Sequence, residues 1–289
     1  MKNTDRITVP RIRCRKKKGK KSVMITAYDY TMARLVDQAG VDMILVGDSL
    51  GMVVQGHSNT LPVTLEHMIY HCACVSRGAK RALVIGDMPF MTYQASVEQA
   101  LVSCGRVLKE GSAHAVKLEG GREITETISR LVSSGIPVVG HVGLTPQSVH
   151  SIGGFRVQGK KRVDQERIID DAIAVAEAGA FCIVLESIPG DLAQRITDEV
   201  AVPTIGIGAG VHCDGQVLVC YDMLGFYDDF RPKFLKVYEE FGKKGTEAVT
   251  TYIDEVHNGV FPAEEHTVKS KTAGRGGLRA LYGGARTSG

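Results

Sequence analysis

The chain has 289 residues, 44% of them hydrophobic and 23% charged, with a formal net charge of +3. That length accommodates one α/β barrel of about 250 residues, and the apolar fraction is too high for a disordered chain. No run of about 18 apolar residues marks a transmembrane helix, and no secretory leader opens the chain, so a cytoplasmic protein with no membrane partner is expected.

The +3 averages unlike parts. Residues 11–21 (RIRCRKKKGKK) carry eight Lys/Arg and no acid, and residues 268–289 carry five and none. These two segments hold +13, which leaves −10 for the rest. A basic balance confined to the ends, with no interleaved aromatics, argues against nucleic acid as a partner. Seven cysteines in no regular spacing read as reduced thiols, with Cys182 and Cys220 inside apolar runs.

In chain order, residues 1–22 read as a basic, solvated arm. Short β-branched runs follow at 23–28, 42–47, 82–86, 115–118, 137–141, 181–185, 203–207 and 217–221. Amphipathic stretches ending in Gly lie between many of them, such as ARLVDQAG and QERIIDDAIAVAEAG. Eight apolar strands with helical connections predict a parallel sheet covered on both faces, and eight is the count of a (β/α)8 TIM barrel. A doubly wound sheet would gather its ligand groups at one switch point, whereas here polar residues end nearly every strand. The predicted barrel domain spans 23–266 and includes terminal helices in 232–256. Residues 267–289 read as a basic, Gly-rich, disordered tail.

Barrel enzymes carry their chemistry at the C-terminal ends of the strands. Those ends supply Asp29, Asp48 with Ser49, Asp87, Lys117 with Glu119, His141, Glu186 with Ser187, glycines 206, 208 and 210, and Asp222. One carboxylate after a strand is usually a helix cap. Six on one rim repel each other unless a cation or proton intervenes. Asp48, Asp87 and Glu119 follow successive strands, about 4.8 Å apart, and as hard oxygen donors they predict a shared Mg²⁺ rather than zinc. Lys117 shares the face of Glu119 by period-2 alternation. Glu186 follows an apolar run across the barrel, where partial burial would raise its pKa and suit it to act as a base. A structural Glu paired with Arg or Lys is the competing reading.

Three motifs mislead. Gly154-x4-Gly159-Lys160-Lys161 nearly spells a Walker A loop but has Lys where Ser or Thr must hold Mg²⁺. GIGAG at 206–210 lacks the spacing of a dinucleotide fingerprint, though such a loop after a seventh strand can bind phosphate. His67 and His71, four apart on a helix of the outer layer, read as a structural pair rather than a zinc site.

Long blocks of the chain resemble the ketopantoate hydroxymethyltransferase family. They are residues 24–71 (MITAYDYTMARL…LEHMIYH), GDMPFMTYQAS, VKLEGG, GHVGLTPQSVHSIGGFRVQGK, VLESIP and GIGAGVHCDGQVLVCYDMLG, within about residues 20–266. The resemblance implies a barrel of the phosphoenolpyruvate mutase/isocitrate lyase type. It implies hydroxymethyl transfer from 5,10-methylenetetrahydrofolate to 3-methyl-2-oxobutanoate through a Mg²⁺-stabilised enolate, on the way to pantothenate. By position in its motifs, Asp48, Asp87 and Glu119 look like the metal site. Ser49 and Lys117 look like holders of the keto acid, with Asp48 and Asp87 also near it. Glu186 looks like the proton acceptor, and His141 like a polar contact of the substrate. A homo-oligomer, a decamer in the family, is also implied. The segment beyond about 268 is extra relative to the family pattern, and GHSNT and PFMTY differ from its commonest loops. The alternatives are a Mg²⁺-dependent 2-oxo acid lyase or phosphonate mutase on the same barrel, and a non-catalytic scaffold that kept the barrel.

Overall fold

Eight parallel strands close on themselves in the order β1-β2-β3-β4-β5-β6-β7-β8 in the computed structural model, which describes residues 6–227 and 231–268. The strands are β1 Ser22–Thr26, β2 Met43–Val46, β3 Leu83–Asp87, β4 Ala115–Glu119, β5 Val138–Gly143, β6 Cys182–Glu186, β7 Thr204–Ile207 and β8 Gly215–Leu218. The helices are α1 Val9–Lys17, α2 Tyr30–Ala39, α3 Leu50–Val53, α4 Leu65–Gly78, α5 Val97–Lys109, α6 Thr125–Ser133, α7 Val149–Ile152, α8 Arg162–Glu177, α9 Gly190–Glu199, α10 Cys220–Met223 and α11 Phe241–His257. Each predicted strand overlaps an observed one. The eighth sits two residues earlier than predicted, which puts Asp222 on α10 rather than at a strand end.

Period-2 alternation sorts each strand between two cores. Val116 and Leu118 face outward, where they join Val107, Ile128 and Leu131 under the helices. Ala115 faces inward with Met43, Leu83, Ile85, Val139, Cys182 and Val184, filling the lower barrel with apolar side chains. The helices start where short polar side chains accept backbone N–H groups: Asp29 caps α2, Thr64 caps α4 and Ser96 caps α5.

The N-terminal stretch is not a solvated arm. Nine of its residues form α1, and Ile12 is fully buried among Ile7, Met24, Met43 and Phe181 at the bottom of the barrel. Its basic residues meet the acidic body directly. Arg15 pairs with Asp42 at 3.0 Å, and Lys16 with Asp214 at 3.0 Å. The excess of positive charge in the sequence hides the apolar residues that dock the helix. Ile12→Ala is expected to destabilise the fold by about 3 kcal/mol, as for a buried large-to-small change. Chemical denaturation measures this, and a loss under 1 kcal/mol would mean the helix is no plug.

The chain divides into two units, Met1–Glu240 and Phe241–Gly289, so the single domain expected over 23–266 is cut at 240. The physical reason is visible in residues 231–240, which form turns and extended chain rather than a helix packed on the barrel. In the second unit, a turn after α11 brings Phe261 edge-on to Tyr252 of that helix, with ring centroids 5.5 Å apart. Most of the predicted tail, residues 269–289, lies outside the described residues. Among the described residues no helix is long and apolar enough to cross a membrane.

Candidate active site

The strand ladder places the polar cluster. Asp87 of β3 stands opposite Lys117 of β4, and Glu119 stands opposite His141 of β5. Their side chains continue the inward-facing rows that are apolar lower in the barrel, so all four are buried. Asp48 and Ser49 follow β2, and Glu186 ends β6. All seven predicted site residues line one cavity of about 450 Å³ at the C-terminal end of the barrel.

Lys117 is the hub. Its Nζ lies 2.8 Å from Asp87 Oδ1, 3.4 Å from Glu119 Oε1 and 3.1 Å from His141 Nδ1. Burial opposes its charge, but Asp87, Glu119 and Asp48 more than offset that and hold it firmly protonated. An ammonium has only donors, so His141 Nδ1 accepts from it, and Nε2 carries the proton towards Glu186 Oε2 at 3.3 Å. Burial and Lys117 pull the His141 pKa down, while Glu119 and Glu186 push it up to about 9. The ammonium 3.1 Å from Nδ1 decides for the neutral ring while the pocket keeps this arrangement.

The three carboxylates are not equivalent. Burial drives the Asp48 carboxyl well above the usual range, and the charges of Asp87 and Glu119 add to this. Burial also raises Asp87, against the pull of Lys117. Glu119 is also disfavoured by burial, but Lys117, His141 and the Gln147 N–H bring it below its ordinary value. Glu119 Oε1 lies 3.4 Å from Lys117 Nζ, and Oε2 accepts from Gln147 N at 3.0 Å. Among the described residues, no three His, Cys, Asp or Glu side chains form a cage for a metal.

Asp48 and Asp87 remain suited to a hard divalent ion. The Asp48 N–H donates to Asp87 Oδ2 at 3.2 Å, so the two carboxylates are neighbours. Asp87 Oδ1 has Lys117 as an ion-pair neighbour but receives no well-formed hydrogen bond. Mg²⁺ commonly takes one or two protein carboxylates and fills its remaining positions with water and substrate, and this donor set fits that habit.

Two residues escaped the sequence reading. Gln147, on a one-turn 3-10 helix after β5, donates from Nε2 to Asp48 Oδ2 at 2.9 Å and to Met88 O at 2.8 Å. Tyr93 accepts from Glu119 N at 3.1 Å and lies 2.9 Å from Glu119 O and 3.0 Å from Gln147 Oε1. Burial and the Glu119 charge keep its hydroxyl protonated. Ser49 meets the Tyr28 hydroxyl at 2.9 Å. Ser187, just after Glu186, holds a left-handed φ of 48°, a strained turn beside the site.

Other candidates resolve into structure. Asp29 caps α2 through Met32 N, so the capping reading holds. His67 forms a capping box with Thr64, and His71 Nδ1 contacts Tyr28 O at 2.6 Å. Gly208 has φ 62°, and a Cβ there would meet the Phe234 ring at 2.6 Å, so an aromatic ring covers the loop proposed for phosphate. Gly154–Lys160 follows α7, not a strand, and makes no phosphate loop. All seven cysteines are free.

Asp222, on α10, lines the same cavity from the β8 side. Burial raises its pKa from 3.8 to about 6. Ionisation is thus harder in the folded chain than in the unfolded one. The penalty is absent below pH 3.8, grows to about pH 6 and stays constant above. Asp222→Asn is expected to raise stability at pH 8 by about 1 kcal/mol, allowing for the part of the side chain that water reaches, and not at pH 4. Thermal unfolding at the two pH values checks this; an equal gain at both would show that charge burial is not the cause.

The closed eight-stranded barrel with buried carboxylates at its C-terminal mouth is a TIM barrel, and its fold is similar to solved structures of the phosphoenolpyruvate mutase/isocitrate lyase superfamily. Phosphonopyruvate hydrolase, solved with oxalate and Mg²⁺, superposes with a TM-score of 0.59 at 12% identity over 89% of this chain and 92% of that one. So does 2,3-dimethylmalate lyase, of the PEP mutase/isocitrate lyase superfamily, with a TM-score of 0.56 at 15% identity over 90% and 91%. The family model of ketopantoate hydroxymethyltransferase matches residues 6–264, and the chain belongs to that family of transferases. The 3-methyl-2-oxobutanoate hydroxymethyltransferase of Syntrophus aciditrophicus is 59% identical over 262 residues, 91% of this chain and 96% of the relative.

Proposed function

We propose that the chain transfers a hydroxymethyl group to C3 of 3-methyl-2-oxobutanoate, with 5,10-methylenetetrahydrofolate as donor, giving ketopantoate for pantothenate synthesis. The observation that supports this best is the buried Asp48–Asp87–Lys117–Glu119–His141 cluster with Glu186 facing it, in a chain that matches the family from residue 6 to 264. The family match favours this over a lyase or mutase, and the complete cluster weighs against a scaffold without activity.

A divalent ion held by Asp48 and Asp87 would supply Lewis-acid chemistry, withdrawing electron density from the 2-oxo group. Lys117 supplies the fixed positive charge against which the anionic keto acid is held, and Ser49 adds a hydroxyl. Glu119, Gln147 and Tyr93 lock Lys117 and His141 in place, so their donors need no rearrangement as charge develops. Glu186 takes the C3 proton. The negative charge that leaves C3 settles on the 2-oxo oxygen, and C3 then bonds to the methylene carbon of the folate as one of that carbon's two C–N bonds breaks, its electron pair and a proton going to the nitrogen. Water then supplies the hydroxyl to that carbon as the remaining C–N bond breaks, and the nitrogen takes the water's proton, which frees tetrahydrofolate.

Product formation assayed with each component omitted tests the reading. Ketopantoate should form only with keto acid, methylenetetrahydrofolate and Mg²⁺ together. Cleavage of a 2-oxo acid or phosphonate without folate would replace it with the lyase or mutase reading.

A further inference from the structure

The cavity has two unlike halves. Asp48, Asp87, Lys117, Glu119 and His141, from β2 to β5, make one half polar. On the β6–β8 side the walls include Val157, Ile207, Leu218, Val219 and Phe234, together with the polar Glu186, Ser187, Arg231, Lys233 and the half-buried Asp222. Its Oδ1 is cut off from water and has no hydrogen-bond partner among the described residues. The backbone beneath it is fixed, since Cys220 N donates to Thr26 Oγ1 at 2.9 Å and ties the start of α10 to the end of β1. A buried acceptor left without a donor is costly, and such groups are retained where a ligand completes them.

The keto acid cannot complete it. At neutral pH 3-methyl-2-oxobutanoate is an anion with acceptor oxygens and no N–H or O–H donor, so Asp222 would repel it towards Lys117. The pterin ring of a folate is the opposite. It is flat, it suits apolar walls, and its ring N3–H and 2-amino group form a two-donor fork that matches a carboxylate. The one-carbon donor must also approach C3 beside Glu186 of β6, and β8 is two strands away, across β7.

We propose that Asp222 recognises the pterin of the folate co-substrate by accepting hydrogen bonds from its N3–H and 2-amino group. This rests on the folate-dependent transfer proposed above. Asn in its place offers one acceptor and one donor, so it loses one bond and sets a donor against a donor. Ala loses both.

Tetrahydrofolate affinity is measured by calorimetry for the unsubstituted protein, Asp222→Asn and Asp222→Ala. In parallel, proton NMR follows C3 deuterium exchange of the keto acid, which needs no folate. The expected result is a Kd for tetrahydrofolate raised about 10- to 100-fold in both variants, the size of a charge-assisted contact. The KM for methylenetetrahydrofolate should rise with it, while exchange stays within about twofold. Unchanged affinity in both variants overturns the assignment. A parallel collapse of exchange also overturns it, because Asp222 would then support the site as a whole. If the unsubstituted protein binds no tetrahydrofolate, the folate reading itself falls, and this one with it.

Discussion

Glu186→Gln is expected to slow C3 deuterium exchange of 3-methyl-2-oxobutanoate about 1000-fold, within the usual range for loss of a general base. Glutamine keeps the size and shape of the side chain, so the change removes basicity with little repacking. Glu186 is suited to the role by where it stands. It ends β6, away from the carboxylates of β2 to β4, and its side chain is 17% exposed. Among the described residues no Lys or Arg pairs with it; its neighbour is His141 Nε2 at 3.3 Å. A carboxylate is a weak base for a carbon acid, and each pKa unit of mismatch costs about 1.4 kcal/mol. The remaining help must come from charge that stabilises the 2-oxo oxygen, which Lys117 and a divalent ion at Asp48 and Asp87 would provide. Divalent-ion binding should therefore survive in the variant. Exchange within threefold of the unsubstituted rate would sink the assignment.

Asp87→Asn should abolish the stabilisation that Mg²⁺ and keto acid together confer on folding, without destabilising the metal-free protein. The two parts have one cause. Burial raises the Asp87 carboxyl despite Lys117 at 2.8 Å, so its charge is a net burden on the fold until a cation relieves it. Asn removes the burden and the ligand together. At ligand concentrations about 100 times Kd, binding adds about 2.7 kcal/mol to stability. The unsubstituted protein should show a corresponding rise in Tm, and the variant none. Metal-dependent keto acid binding by calorimetry should weaken at least about 100-fold. An unchanged ligand-induced rise in Tm would remove Asp87 from the metal site.

The strands were legible because parallel strands covered on both faces are apolar throughout, and the polar residue ending each run marked the active rim. Asp87, Lys117 and His141 were found by that rule. The approach of Lys117 to Glu119 Oε1 was not, because strand order gives proximity but not which oxygen faces a neighbouring lysine. Gln147 gave no signal. It sits in a short turn with an ordinary sequence and reaches Asp48, 99 positions earlier, only through closure of the barrel. Helix α1 was misread because a run of Lys and Arg outweighs one buried isoleucine in any local pattern. Asp222 was noted for the wrong reason, as a strand end, when it belongs to a short helix facing the cavity.

The strand register has a consequence for heating. Asp87 opposite Lys117 and Glu119 opposite His141 are spaced by backbone ladders that also close the barrel. Heat inactivation of the C3 exchange step should therefore follow the same curve as loss of secondary structure.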